Sequence, residues 1–145
     1  IASILHEELS DGQYDKVVVF CQHHSVLDIF REKLEEFGLV GFTGGASGLA
    51  RTEAIDEFTN NPNTRVFLAQ QTAAGIAINL QVAAEVVLVE PSWTPDDNYQ
   101  AMKRIHRIGQ TRSCRARIFA VGDSLDEPIM ESVARKMKMQ EDIGL

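Results

Sequence analysis

The sequence contains no GxxxxGK(S/T) stretch and no GxGxxG, and no lysine follows its one double glycine, Gly44-Gly45. No apolar strand ends in a pair of acids suited to magnesium. These absences remove the parts that cradle a triphosphate and its metal inside one domain. Cysteine is scarce. Cys21 and Cys114 lie far apart without a CxxC partner, which argues against a disulfide framework or a zinc site and fits reducing conditions. Of the four histidines only His23 and His24 adjoin; neighbours on a strand or loop point apart, so no metal site is expected. No apolar run reaches the roughly 18 residues that a membrane span needs. The opening IASILHEELSDG carries acids where a signal peptide has basic residues. The expectation is an intracellular chain, in the cytoplasm or nucleoid if bacterial and the nucleus if eukaryotic, with no membrane partner. Starting at Ile1, it is expected to be a piece of a longer protein, and it shows no internal repeat, low-complexity tract or linker.

The 145 residues suffice for one domain with a real core, and 44% hydrophobic with 24% charged is an ordinary globular composition. The net charge of −7 argues against a protein that coats nucleic acid. Its distribution says more. Residues 100–117 hold Lys103, Arg104, Arg107, Arg112, Arg115 and Arg117 and no acid, so the other eight Lys and Arg face all 21 acids. One basic stripe on an acidic body reads as a localised anion site. Within it, QAMKRIHRIGQT (100–111) spaces Gln100, Arg104 and Arg107 at i, i+4 and i+7, one face of a helix. The Gly109-Gln110 pair is expected to stop that helix just past Ile108. Arginine forks grip phosphate oxygens in two places.

Along the chain, Ile1, Ile4, Leu5 and Leu9 have a helical period. VVVFC (17–21) is a solid apolar run, the mark of a strand buried on both faces. Ser25 is expected to cap a helix with Val26, Leu27, Phe30 and Leu34 on its apolar stripe, ending at Gly38. LVGF (39–42) reads as a second strand, then a glycine-rich loop, then a helix with Ile55 and Phe58. RVFLAQ (65–70), VVLVE (86–90) and ARIFAV (116–121) read as further strands, and residues 126–145 as a last helix packing back on the domain. This alternation predicts an α/β three-layer sandwich, a mostly parallel sheet with helices on both faces. Working residues then lie at the carboxyl ends of the strands: Gln22-His23-His24, Thr43-Gly44-Gly45, Gln70-Gln71-Thr72 and Glu90-Pro91-Ser92-Trp93. Arginines for phosphate without a phosphate pocket imply that the pocket belongs to another domain.

QAMKRIHRIGQT resembles the Q-A-x-x-R-x-H-R-I-G-Q motif of the second RecA-like lobe of superfamily-2 helicase-type ATPases, in the Swi/Snf-like branch of double-stranded DNA translocases. KVVVFCQHHSVLD, GFTGGASGLARTEAIDEF and VFLAQQTAAGIAINLQVAAEVVLVEPSWTP resemble that lobe's other blocks in order and spacing, so the likeness spans roughly residues 15–140. The resemblance implies ATP and Mg2+, held mainly by a first lobe of the same polypeptide, and duplex DNA as partner. It implies that Arg104 and Arg107 are arginine fingers reaching ATP across the cleft, with Gln100 leading the motif. Asn79 would face the nucleotide sugar, and Gly75 would join DNA contact to the ATP cleft. Gln22, His23, Gly44, Gly45, Arg51, Gln71 and Thr72 would touch DNA phosphates. Ala77, Thr43, Gln71, Glu90 and Thr94 depart from the family pattern, which suggests a divergent member.

The resemblance further implies directional translocation on duplex DNA, and an isolated lobe that is monomeric and catalytically silent. Blander roles stay open at this point. The blander role is a loop cap for Asn79, a loop brace for Arg51, a strand end for His23 and His24, and packing for Trp93 and Cys21. A binding module without ATP work is the alternative for the whole.

Overall fold

The computed structural model describes residues 1–72, 78–92, 94–106 and 109–119, with positions 128, 131, 132 and 135. The elements run α1 (Ala2–Ser10), β1 (Val17–Cys21), α2 (His24–Leu34), a 3-10 turn (Glu35–Phe37), β2 (Leu39–Val40), α3 (Gly48–Asn60), β3 (Val66–Gln70), β4 (Glu85–Leu88), α4 (Pro95–Met102) and β5 (Arg115–Ile118). The strands form one sheet in the order β2-β3-β1-β4-β5, with every pairing parallel.

β1 sits at the centre, and all five of its residues are buried. Its side chains alternate between two cores. Val18 and Phe20 join Phe67, Ala69, Val86 and Leu88 beneath Ala54 and Phe58 of α3 and Ala101 and Met102 of α4. Val17, Val19 and Cys21 join Leu68 and Val87 against Leu5 and Leu9 of α1 and Leu27, Phe30 and Leu34 of α2. Each such side chain contributes about 1.5–3 kcal/mol on leaving water. The result is the expected three-layer sandwich.

α2 carries the chain from β1 past β3 to the edge strand over one face, and α3 returns it over the other. β1 and β4 are neighbours, yet α2 leaves β1 over one face and α4 leaves β4 over the opposite face. Their carboxyl ends therefore open a crevice, the place where α/β sheets bind ligands.

Several boundaries differ from the sequence reading. α2 starts at His24 with His23 as N-cap, so Ser25 is inside the helix. α2 stops at Leu34, and Gly38 (φ 75°) closes the 3-10 turn that follows. A Cβ at Gly38 would lie 2.1 Å from the Asn63 carbonyl oxygen, so glycine is needed there for space and for backbone angle. β2 is two residues long, and Ser47 caps α3 by accepting from the Ala50 N–H. α4 ends at Met102, well before Gly109. The carbonyls of residues 104 and 105, which a longer helix would pair internally, are taken by the Leu80 N–H at 3.0 Å and the Gln110 amide at 3.0 Å. The expected last helix lies outside the described residues except for the four single positions.

Candidate nucleotide and nucleic-acid interface

At the crevice, Glu90 follows β4 and closes over the β1 exit. One of its oxygens accepts the Gln22 and His23 N–H groups at 2.7 and 2.9 Å, and the other meets His23 Nδ1 at 2.8 Å. Burial pushes the Glu90 carboxyl up, but the His23 and Gln22 donors and the His23 ring outweigh it, and the net shift is downward. The Gln22 amide donates back to the Glu90 carbonyl at 3.0 Å. Gln70, the last residue of β3, ties two further exits together. Its oxygen accepts the Gly44 N–H at 3.0 Å, and its nitrogen donates to the Gln22 carbonyl at 3.1 Å. Arg51 on α3 donates to the Gly44 carbonyl at 2.7 Å and lies over the Phe42 ring. It braces the Gly44-Gly45 loop from behind. His23, Gly44, Gly45 and Thr72 are exposed along this edge.

A cleft of 330 Å3 opens here, lined by Gln22, Gln71, Thr72, Ser92, Asp97 and Gln100. Gln71 is 5% exposed and Asn98 0%. Gln71 Nε2 donates to Asn98 Oδ1 at 2.5 Å, and Asn98 brackets Ser92 by accepting its N–H at 2.7 Å and donating to its carbonyl at 2.9 Å. Gln71 thus faces inward, and the exposed residue at this exit is Thr72.

Gln100 lies on α4, and Arg104 follows it one turn on. The Arg104 guanidinium donates to Gln100 Oε1 at 3.3 Å, so the i, i+4 pairing persists although Arg104 sits in the turn beyond the helix. Arg104's carbonyl accepts the Leu80 N–H, which brings the 78–80 segment alongside. Asn79 is exposed and caps its own turn, accepting the Gln81 N–H at 3.1 Å. It also lines a second hollow, with Gln81, Gly109, Gln110 and Arg112. Gln100 therefore lies on the cleft at the carboxyl edge, and Arg104, paired with it, leads from there to the 78–80 segment that carries Asn79. Arg107, Gly75, Ala77 and Trp93 lie outside the described residues.

The six-residue basic stripe does not survive as one site. Arg115 donates to both oxygens of Glu85, Arg117 donates to both oxygens of Glu8, and Arg112 donates to the Gln81 and Val82 carbonyls. Lys103 lies over the Tyr99 ring. Asn98 was not singled out from the sequence, Gln70 and Glu90 were read only among the strand-end residues, and Gln110 only as part of the helix stop. Their only advance signal was position at strand ends or beside the motif.

A parallel five-stranded sheet with its polar residues gathered at the β1–β4 crevice, and a basic turn after α4, defines a RecA-like α/β lobe. Residues 1–109 match the helicase conserved C-terminal domain. The chain belongs to that family, as the second RecA-like lobe of a superfamily-2 helicase-type ATPase of the Swi/Snf-like branch. It is 36% identical over 126 residues to the ATP-dependent helicase rhp16 of Schizosaccharomyces pombe, covering 86% of this chain and 15% of that protein. It is 35% identical over 130 residues to the ISWI chromatin-remodeling complex ATPase ISW2 of Saccharomyces cerevisiae, covering 87% of this chain and 12% of that protein. The crystal structure of the C-terminal part of the Fun30 ATPase domain superposes with a TM-score of 0.80 at 30% identity, over 89% of this chain and 42% of that one. The chain thus spans a small fraction of its curated relatives. No helix among the described residues is long and apolar enough to cross a membrane.

Proposed function

We propose that this chain is the second ATPase lobe of an intracellular, DNA-dependent translocase, the class that includes ATP-dependent helicases and remodellers. The observation that carries the reading is the pairing of Arg104 with Gln100 on the flank beside Asn79, in a chain with no phosphate loop of its own. Such a flank is chemically suited to anionic phosphate, with a guanidinium and amides as donors. ATP with its Mg2+, bound on a first lobe of the same polypeptide, would supply the phosphoryl group transferred to water. Arg104 and Arg107 would reach across the cleft and neutralise charge developing there, with Gln100 orienting Arg104. Asn79 and the backbone at Gly75 would lie against the nucleotide.

The carboxyl edge would take the phosphate backbone of duplex DNA. Gln22, His23, Gly44, Gly45 and Thr72 present exposed or half-exposed donors there, while Arg51 and Gln71 support the loops from inside. Backbone contacts of this kind make binding salt-sensitive and largely indifferent to sequence. Closing and opening of the two lobes through the nucleotide cycle would move one grip along the duplex.

The test is DNA-stimulated ATP hydrolysis by the full-length protein. Arg104→Ala and Arg107→Ala are each expected to lower kcat by about 10³–10⁵-fold. Wild-type rates in both variants would remove the finger assignment. The lobe by itself should be monomeric and hydrolyse nothing; turnover by the lobe alone would overturn the two-lobe reading.

A further inference from the structure

We propose that Asn98 is a positioning residue that links the strand exit bearing Thr72 to the helix bearing Gln100, so that DNA engagement sets the orientation of the nucleotide-facing helix. The inference rests on the reading of DNA edge and nucleotide flank given above.

The orientation of the Asn98 amide is forced. The Ser92 N–H can only donate, so it takes Asn98 Oδ1; the Ser92 carbonyl can only accept, so it takes Asn98 Nδ2. With the amide fixed, the same Oδ1 accepts Gln71 Nε2 at 2.5 Å. One fully buried side chain therefore joins α4 to the exits of both β3 and β4. The Gln71 oxygen is buried and has no hydrogen-bond partner among the described residues. Among those residues its side chain is held by hydrogen bonding through Asn98 alone.

The arrangement is expensive as mere packing. An apolar pair of similar size would hold α4 against the sheet without desolvating two amides. What the amides add is direction, since hydrogen bonds fix one rotation and one height of the helix relative to the loop. Thr72 is next to Gln71 in the chain, and Gln100 follows Asn98 by two positions. A shift of the β3 exit on meeting a phosphate is thus passed across a single hydrogen bond to the start of the helix that leads to Arg104.

Two variants of the full-length protein test the link by the fold-stimulation of ATP hydrolysis at saturating duplex DNA. Gln71→Met removes only the bond to Asn98 and leaves the Ser92 brace intact. Asn98→Leu removes all three bonds. We expect Gln71→Met and Asn98→Leu to lose about tenfold of the stimulation, an ordinary size for coupling between sites. Gln71→Met should keep the wild-type Kd for DNA and the wild-type melting temperature. Full stimulation in Gln71→Met overturns the inference. So does a loss that appears in Kd, which would assign Gln71 to direct DNA contact. A wild-type protein whose hydrolysis DNA does not stimulate takes down the proposed function as well, and so is told apart from failure of the link alone.

Discussion

Glu8 and Arg117, 109 residues apart in the chain, meet through two parallel hydrogen bonds of 2.8 and 2.7 Å. The pair fastens α1 to β5, and Arg117 Nε also lies 2.7 Å from Glu85. Both side chains are mostly buried, at 14% and 20% exposure. The Arg117 bonds hold the Glu8 carboxyl below its ordinary value of 4.5 despite the opposing effect of burial, with the Tyr14 hydroxyl assisting. A carboxylate with a depressed folded value stabilises fully above its unfolded value, and that contribution is lost as pH falls through the folded value. The lobe should therefore lose stability on acidification below pH 4.5. In urea melts across this range, Glu8→Gln should flatten the acid limb. Arg117→Met should cost about 2–3 kcal/mol at neutral pH, because it strands a buried carboxylate.

Lys16 closes the opposite end of the sheet. Its ammonium donates to the carbonyls of Phe58, Asn61 and Thr64 at 2.7, 2.8 and 2.6 Å and lies 4.9 Å from the Phe58 ring. Burial lowers its proton affinity, and the nearby Glu57 and Asp15 carboxylates offset that only in part, so the net shift is downward. Lys16→Met would leave those carbonyls unpaired in a buried place. A loss of about 1–3 kcal/mol in chemical denaturation is expected; an unchanged midpoint would show that water replaces the ammonium.

Glu90 gives two opposite expectations for DNA binding, and one measurement separates them. If its charge acted directly on phosphate, Glu90→Gln would tighten binding by removing repulsion. As the anchor of the Gln22-His23 loop, it should do the reverse. We expect about fivefold weaker binding, the equivalent of about 1 kcal/mol. Anisotropy titrations of the full-length protein at several salt concentrations should show the shift with an unchanged salt slope. Tighter binding would remove Glu90 from the anchoring role.

Cys21 should be inert in the folded lobe. Burial, aided by the Glu90 charge, pushes its thiol up to about 12, and its side chain has no exposed surface. The thiolate is the reactive form, so a thiol reagent at about pH 8 should reach Cys21 only through unfolding. Rapid native modification of Cys21, located by mass spectrometry, would contradict the packing.

The sequence was most legible where a strand is buried on both faces. Val17–Cys21 is solidly apolar because helices cover each side. It was least legible where distant partners decide the outcome. The helix after Trp93 reads as continuous to Ile108, yet the Leu80 N–H and the Gln110 amide claim the carbonyls it would need. Arg115 and Arg117 read as part of an anion site until Glu85 and Glu8 arrive from other elements. Gln71 reads as an edge contact, and its inward turn depends on Asn98, 27 positions away. In each case local pattern sets the element, and a polar group remote in sequence sets its boundary or its use.

The Gln110 amide donates to the carbonyls of Gln81, Ala83 and Ile105 at 2.8, 3.0 and 3.0 Å. The last glutamine of the motif is thus masonry, tying the turn after α4 to the 81–83 segment. Replacing it should leave a lobe that folds when cool and comes apart on warming, which a melting curve would show. A search for temperature-sensitive alleles would do well to begin there.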